Sequence, residues 1–428
     1  MNNLLKLSLL SCLIISISNA DEKIDEQREV SVRKAIDSFA EVEPKSVKKV
    51  NSIGEMFTEG KFSAQFRSVY AGYNQKAKDE TDTYATAIGG MMKYELAMYH
   101  GFNAAIAGIV SQDIDFMTGD RKKQNTELSS DKSNYTQLSE LYVNYKYDGL
   151  NLRAGAQTLD TPMADSDDIR MVPNTFEAYM ATYEYDEFVF TFANLQRWQG
   201  VDAGLGSGDE NEWVDIGDNG AWLGGVTYEG IVEANAWYYS ISGDEEEVRA
   251  TYLDLAKSYD ISENISIYGG IQYLHEADVG TSEIEADIYG VMAELVVYDV
   301  GFNIGYNYSD AKSGKRSFSG IGGGSMYTSM DTMIIDEIAE DRNAQALVMG
   351  VVYEVGSWNF LYAYGDFDGK KNSFGENAHI VEQDMGFSYS VNDNFELAAL
   401  YVLEDDRASS SNTENDWDRY QLIVKYDF

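Results

Sequence analysis

The feature that most restricts this chain is a period of two. Its last ten residues place Tyr420, Leu422, Val424, Tyr426 and Phe428 on one parity and Arg419, Gln421, Ile423, Lys425 and Asp427 on the other. Side chains of a strand point alternately to its two faces, so one face here suits hydrocarbon and the other water. The unit recurs at Phe62-Ala64-Phe66-Tyr70, at Tyr84-Ile88-Met92-Tyr94, over 102–110 and at Leu141-Val143-Tyr145-Tyr147. Further runs follow at Phe188-Phe190-Phe192, Ile265-Ile267-Gly269-Ile271-Tyr273, Phe302-Ile304-Tyr306-Tyr308, Phe360-Tyr362-Tyr364 and Phe395-Leu397-Ala399-Tyr401. The runs number about eighteen and are about ten residues long, enough for a tilted strand to cross a bilayer.

The connections carry a second regularity. Tight turns at Tyr147-Asp148-Gly149, Tyr185-Asp186-Glu187, Tyr228-Glu229-Gly230, Tyr298-Asp299-Val300 and Tyr353-Glu354-Val355-Gly356 alternate with long polar segments such as 112–133, 158–173, 199–219 and 311–341. A soluble sheet has no cause for such strict alternation, whereas a membrane barrel does. Tyrosine before each tight turn fits an interfacial belt, ring in the boundary and hydroxyl in water. The expected fold is all-β: a transmembrane antiparallel up-and-down β-barrel of about 18 strands, with short periplasmic turns and long extracellular loops. Outer-membrane lipids are its surroundings and the cell outer membrane its location.

Composition excludes several classes. The formal net charge of -40 repels phosphates, so no nucleic acid is expected as a partner. With 44% hydrophobic residues the chain is no disordered polyanion. Residues 1–20 read as an export signal: Lys6, the apolar run 7–17, then Ser18-Asn19-Ala20. The single cysteine, Cys12, lies within it; lipidation there would leave a very short apolar region. Without it the mature chain has no disulfide, thiolate nucleophile or cysteine metal site, and no cofactor is expected. Residues 21–59 read as a partly helical periplasmic N-terminal extension, with Ser52 as a cap, Glu55 three residues on and Gly60 as a stop. The barrel is expected over 60–428.

Two stretches carry a family resemblance. Leu152-Arg153-Ala154-Gly155-Ala156-Gln157-Thr158-Leu159-Asp160-Thr161-Pro162-Met163, followed by 167–178, resembles the OprD-like outer-membrane porins of Gram-negative bacteria, and Gly60-Lys61-Phe62-Ser63-Ala64-Gln65-Phe66-Arg67 resembles their first strand. The resemblance implies a monovalent-ion or substrate-specific diffusion channel of about eighteen strands with an inward-folded third loop. Ala156 departs from it, since many relatives carry arginine there.

Parity alone assigns the wall. In 150–157 the apolar set is Leu150, Leu152, Ala154 and Ala156, so Asn151, Arg153, Gly155 and Gln157 face the lumen. By the same count Arg67, Arg197 and Arg419 face inward, with Glu140, Asn144, Lys146 and Asp254. A guanidinium facing lipid at mid-depth costs roughly 2–4 kcal/mol, which favours the inward assignment. Most such residues would simply keep a wall solvated. The segment 158–173 holds Asp160, Asp165, Asp167, Asp168 and Arg170 between Pro162 and Pro173. Folded inward, its carboxylates would oppose the wall arginines and set a transverse field on small hydrophilic or charged solutes. On the surface, the same acids would bind water or Ca²⁺.

Other signals are weaker. Gly204–Gly208 and Gly322–Gly324 lack the strand-to-helix setting of a phosphate loop, and Lys370 and Lys371 spoil a calcium loop at Asp366-Phe367-Asp368-Gly369. His100, His275 and His379 lie on separate runs with no nucleophile motif beside them, so no enzyme is expected. A filled barrel, serving as adhesin or receptor, would need bulky inward residues; Gly155, Gly305, Ala363 and Gly365 point instead to space. The segment 331–340 reads as a short helix in the longest loop, as lid or surface insertion. Tyr426 and Phe428 would present the closing strand to the outer-membrane insertion machinery. Outward small and aromatic residues suit lipid and a homotrimer contact alike. The excess of acids, mostly in loops, predicts mild cation preference.

Overall fold

The computed structural model describes residues 47–428 apart from 77–79, 115–122, 126–127, 129–133, 167–169, 172, 201, 204–212, 218, 243–246, 312, 323–325 and 409–415. Among the described residues nineteen strands join one sheet, and setting aside the two-residue Val214–Asp215 leaves eighteen long ones. They are β1 (Lys61–Gln75), β2 (Thr83–Glu95), β3 (Phe102–Asp113), β4 (Tyr135–Tyr147), β5 (Leu150–Gln157) and β6 (Thr175–Tyr185). Next come β7 (Phe188–Gln199), β8 (Ala221–Glu229), β9 (Glu233–Ile241), β10 (Val248–Ser262), β11 (Ile265–Asp278) and β12 (Ala286–Val297). The last six are β13 (Val300–Ser309), β14 (Ala344–Val355), β15 (Trp358–Gly369), β16 (Ala378–Asn392), β17 (Phe395–Asp406) and β18 (Trp417–Asp427).

Each strand pairs antiparallel with its neighbours in sequence, and β1 pairs with β18 from Gln65 opposite Asp427 to Gln75 opposite Trp417. That last pairing closes the wall, so the sheet presents no free edge to lipid. Phe428 donates its amide to Ala64 O at 2.8 Å and fastens the end of the chain to the seam.

Burial is inverted relative to a soluble fold. Leu141, Val143, Phe192, Ile271, Val291, Tyr306, Tyr362 and Leu422 are exposed on the outer face, while Asn103, Gln272, Asn307, Glu382, Asp384 and Gln421 are buried inside. A continuous apolar exterior of this kind is a lipid-facing surface.

Among the described residues the connections alternate between two rims. One rim has the short turns 148–149, 186–187, 230–232, 263–264, 298–299, 356–357 and 393–394 and the six-residue link 96–101. The other has 76–82, 114–134, 158–174, 200–220, 242–247, 279–285, 310–343, 370–377 and 407–416. Asp148 and Gly149, at φ 45° and 80°, form the left-handed pair that a two-residue hairpin needs. On the short-turn rim the helix α1 (Ile53–Thr58) precedes β1; Ser52 Oγ accepts from Glu55 N at 3.3 Å.

Two bulges matter for what the wall presents. The β3–β4 register shifts between Ala107 and Gly108, leaving Ser139 as the extra residue of β4. The β6–β7 register shifts between Glu177 and Ala178, leaving Gln196 as the extra residue of β7. A bulge changes which parity faces inward for the rest of its strand.

Candidate functional site: two loops inside the wall

The inner wall places its charged groups by parity. Arg67 on β1 is 3% exposed, and its guanidinium donates to Arg170 O at 2.9 Å. Arg153 on β5 lies with its guanidinium carbon 4.4 Å from the Tyr142 ring centroid and donates from Nε to Asn144 Oδ1 at 3.3 Å. Lys93, 5.4 Å from the same ring, pairs with Glu140 at 2.7 Å. Gln157 is fully buried and knits the wall itself, donating to Gly155 O and Ala178 O at 3.1 Å each.

The segment 158–174 turns into the barrel. Asp160–Thr161 and Ala164–Asp165 pair as a two-residue hairpin around Pro162 and Met163. The Thr161 hydroxyl donates to Ala164 O at 3.0 Å, and Met163 N donates at 3.2 Å to the hydroxyl oxygen of Tyr239, which is buried on the inner side of β9. Leu159, Met163, Ala164 and Met171 are buried against the wall. Arg170 reaches Asp202 at 3.8 Å, and Asn174 Nδ2 donates to the same carboxylate at 2.6 Å.

The segment 310–343 also enters, and it crosses further. Near the wall of β11, Phe318 N donates to Glu276 at 3.0 and 3.2 Å. Ile321 then meets the first loop through two main-chain bonds, Ile321 N to Met163 O at 2.9 Å and Asp165 N to Ile321 O at 3.1 Å. Tyr327 N donates to Gln272 Oε1 at 3.1 Å, and Thr328 Oγ1 donates to Asn307 Oδ1 at 3.1 Å. Beyond these, Asp331 N donates to Asp384 at 3.3 Å and Thr332 N to Glu382 at 3.0 Å, while Thr332 Oγ1 contacts both Glu382 and Glu404. Asp331 finally pairs with Arg419 of β18, both side chains being 1% exposed. The guanidinium also donates to Gln421 Oε1 at 2.9 Å.

Magnitudes separate the roles of these contacts. Met326, Tyr327, Met330 and Ile335 are all buried, and each such side chain contributes about 1.5–3 kcal/mol on leaving water. A buried ion pair does little more than offset its own desolvation. Apolar burial therefore holds the loop in, and the Asp331–Arg419 contact fixes where it lands.

Residues 55–428 match the family described as outer membrane porin, OprD family. The chain belongs to the OprD family of outer-membrane porins. Its fold is similar to that of OccAB2 from Acinetobacter baumannii, at 16% identity and a TM-score of 0.73 over 88% of this chain and 99% of that one. It is similar to Pseudomonas aeruginosa OpdK, solved with vanillate, at 15% identity and 0.72 over 87% and 99%. A BenF-like porin from Pseudomonas fluorescens Pf-5 gives 13% identity and 0.74 over 86% and 98%. No curated protein matches the chain in sequence. Membership places this porin in the outer membrane, among relatives that are channels rather than enzymes.

Several expectations change inside the porin. Arg197 does not face the lumen. Beyond the Gln196 bulge it lies opposite Glu177, which lies opposite the outward Ala156 and next to the outward Leu141 row. Arg197 is exposed there, pairs with Glu177 at 2.5 Å and lies 5.4 Å from the Trp213 ring. The inward glycines do not mark open space. A Cβ on Gly305 would stand 2.2 Å from Tyr327 O, and one on Gly365 would stand 2.1 Å from Met330 Sδ, so both make room for the second loop. The stretch 331–340 gives a 3-10 turn, Ile335–Glu337, whose Ile335 is buried inside the barrel. Asp160 and Asp165 lie on the hairpin, whereas Asp167 and Asp168 fall outside the described residues, as do the export signal and the Gly204–Gly208 stretch. Among the described residues no group of three or more His, Cys, Asp or Glu side chains is arranged to hold a metal.

What sequence reading passed over is Asp331 with Glu382, Asp384 and Glu404. A signal was present: Met326, Met330, Met333, Ile334, Ile335 and Ile338 crowd a segment that an exposed loop would keep polar.

At the outer rim the second loop is stapled by Asp341. The Ser373 hydroxyl, the Gly314 amide and the Ser373 amide all donate to its carboxylate and hold its pKa down to about 2. A cluster of donors that favours the charged form is the cause.

Proposed function

We propose that this porin is a passive diffusion channel for small hydrophilic or charged solutes, narrowest where the two joined inward loops lie across the lumen. The reading rests on the joining of those loops at Ile321, with one bonded to Arg67 through Arg170 O and the other to Arg419 through Asp331. Guanidinium groups on the wall and carboxylates on the loops, Asp160, Asp165, Asp167 and Asp168 among them, give a transverse field that orients a dipolar solute. Arg153, beside Tyr142, extends the cationic side of the path. The acid excess raises cation concentration at the mouth, so a mild cation preference accompanies it. Because OpdK was solved with vanillate, small carboxylates head the solutes to be tried. Tyr426 and Phe428, outward on the closing strand, are the mark read by the insertion machinery.

Planar-bilayer recording across a salt gradient, then with a panel of carboxylates and amino acids, tests the reading. Discrete single-channel steps with a small cation-side reversal potential are expected, shifted by Arg67→Gln and left in place by Arg197→Gln. A barrel that carries no current would overturn it in favour of a filled-lumen adhesin or receptor.

A further inference from the structure

We propose that α1 is an interfacial anchor whose Ile53 and Phe57 side chains lie in the phospholipid leaflet at the short-turn rim. The segment before β1 is fastened to the barrel, yet not by its apolar side chains. Val50 N donates to Met98 O at 2.9 Å, Met98 N to Lys48 O at 2.8 Å and Ala97 N to Met56 O at 3.0 Å. Main-chain bonds thus fix the helix in place. Ile53 and Phe57, four apart and so on one face, remain 64% and 59% exposed, and α1 buries none of its residues.

Position decides what covers that face. The Tyr94 hydroxyl donates to Phe57 O, and Tyr94 lies opposite Phe62 on the outward row of the β1–β2 pair. Phe62 and Met92, on that row, are exposed on the lipid-facing surface. The C-terminal end of α1 therefore sits beneath the outer side of the wall, continuous with the lipid-facing band. Gly60 makes the approach close: a Cβ there would meet the Tyr94 hydroxyl at 2.5 Å and Glu95 O at 2.8 Å. Around the same rim, Tyr147, Tyr185, Ile231, Tyr298 and Phe428 are exposed as an interfacial belt, and α1 continues it in front of β1 and β2. Lys49 and Lys61, both exposed beside the helix, suit lipid phosphates. An amphipathic face held at the height of a bilayer boundary is covered by lipid.

Nitroxide labels on Ile53→Cys and Phe57→Cys, in the full-length protein reconstituted into phospholipid bilayers, test this. Phe62→Cys supplies the lipid-facing reference, and Phe374→Cys, whose native side chain is 83% exposed on an outer loop, supplies the aqueous one. The parent chain, labelled alike, supplies the blank for Cys12. Both helix labels are expected to be open to oxygen and shielded from a water-soluble nickel complex, as at position 62. Labels as open to nickel as position 374 would place the helix in water and overturn the proposal. Labels immobilised and shielded from both reagents would mean protein covers the face, which overturns it equally.

Discussion

The loops over 158–174 and 310–343 both leave the long-loop rim for the interior, but different chemistry holds them. The first buries Leu159, Met163 and Met171 and is tied down by single bonds, from Met163 N to the Tyr239 hydroxyl, within the Thr161–Ala164 turn and from the Arg67 guanidinium to a main-chain carbonyl. The second buries apolar side chains and then ends among Glu382, Asp384 and Glu404 with one guanidinium, Arg419. Losing one partner of a neutral buried bond costs about 1–3 kcal/mol, whereas losing one partner of a buried ion pair costs about 3–5 kcal/mol because the other charge is left without compensation.

That contrast can be broken from the charged side first. Arg419→Gln leaves Asp331 facing three carboxylates, and removing one partner of a buried pair costs about 3–5 kcal/mol. The landing end of the second loop around Asp331 is expected to detach from the wall while its apolar side chains stay packed, raising single-channel conductance, with Asp331→Asn giving a smaller rise because it removes an acid as well as a partner. Conductance histograms of the two variants check the order. Tyr239→Phe leaves the buried Met163 amide without its acceptor, a loss of about 1–3 kcal/mol. Its conductance is expected to stay at the parent value while thermal unfolding in detergent moves slightly down.

The smallest effect concerns the rim. The Asp341 carboxyl has a pKa lowered to about 2, so its contribution is complete above the ordinary aspartate range and fades as pH falls through about 2. Between pH 7 and pH 5 the staple is unchanged, and current noise from the outer side should rise only near pH 2. Noise that rises already at pH 5 in the parent but not in Asp341→Asn would contradict the assignment.

How far the sequence carried this picture follows from where the information lies. Strand order and the alternation of rims are written in local alternation, which needs no knowledge of neighbours. Arg197 was misplaced because a bulge belongs to a pair of strands, and nothing in 188–199 alone announces Gln196. For 158–174 the sequence left two courses open, an inward one suggested by the resemblance to porins and the two prolines, and a surface loop. For 310–343 only the crowd of methionines and isoleucines hinted at burial, and its anchor was hidden, since Asp331 meets an arginine 88 residues further on. Gly305 and Gly365 misled for a related reason: an inward glycine leaves room, and sequence does not say what fills it.

The second loop is proposed to lie across the opening and to limit what passes. Single-channel conductance of the porin with residues 318–338 replaced by a short glycine-serine link measures this directly. A several-fold rise over the parent in the same salt is expected, with the barrel still resistant to unfolding in detergent. Equal conductance in the two proteins would contradict it and place the loop outside the conducting path.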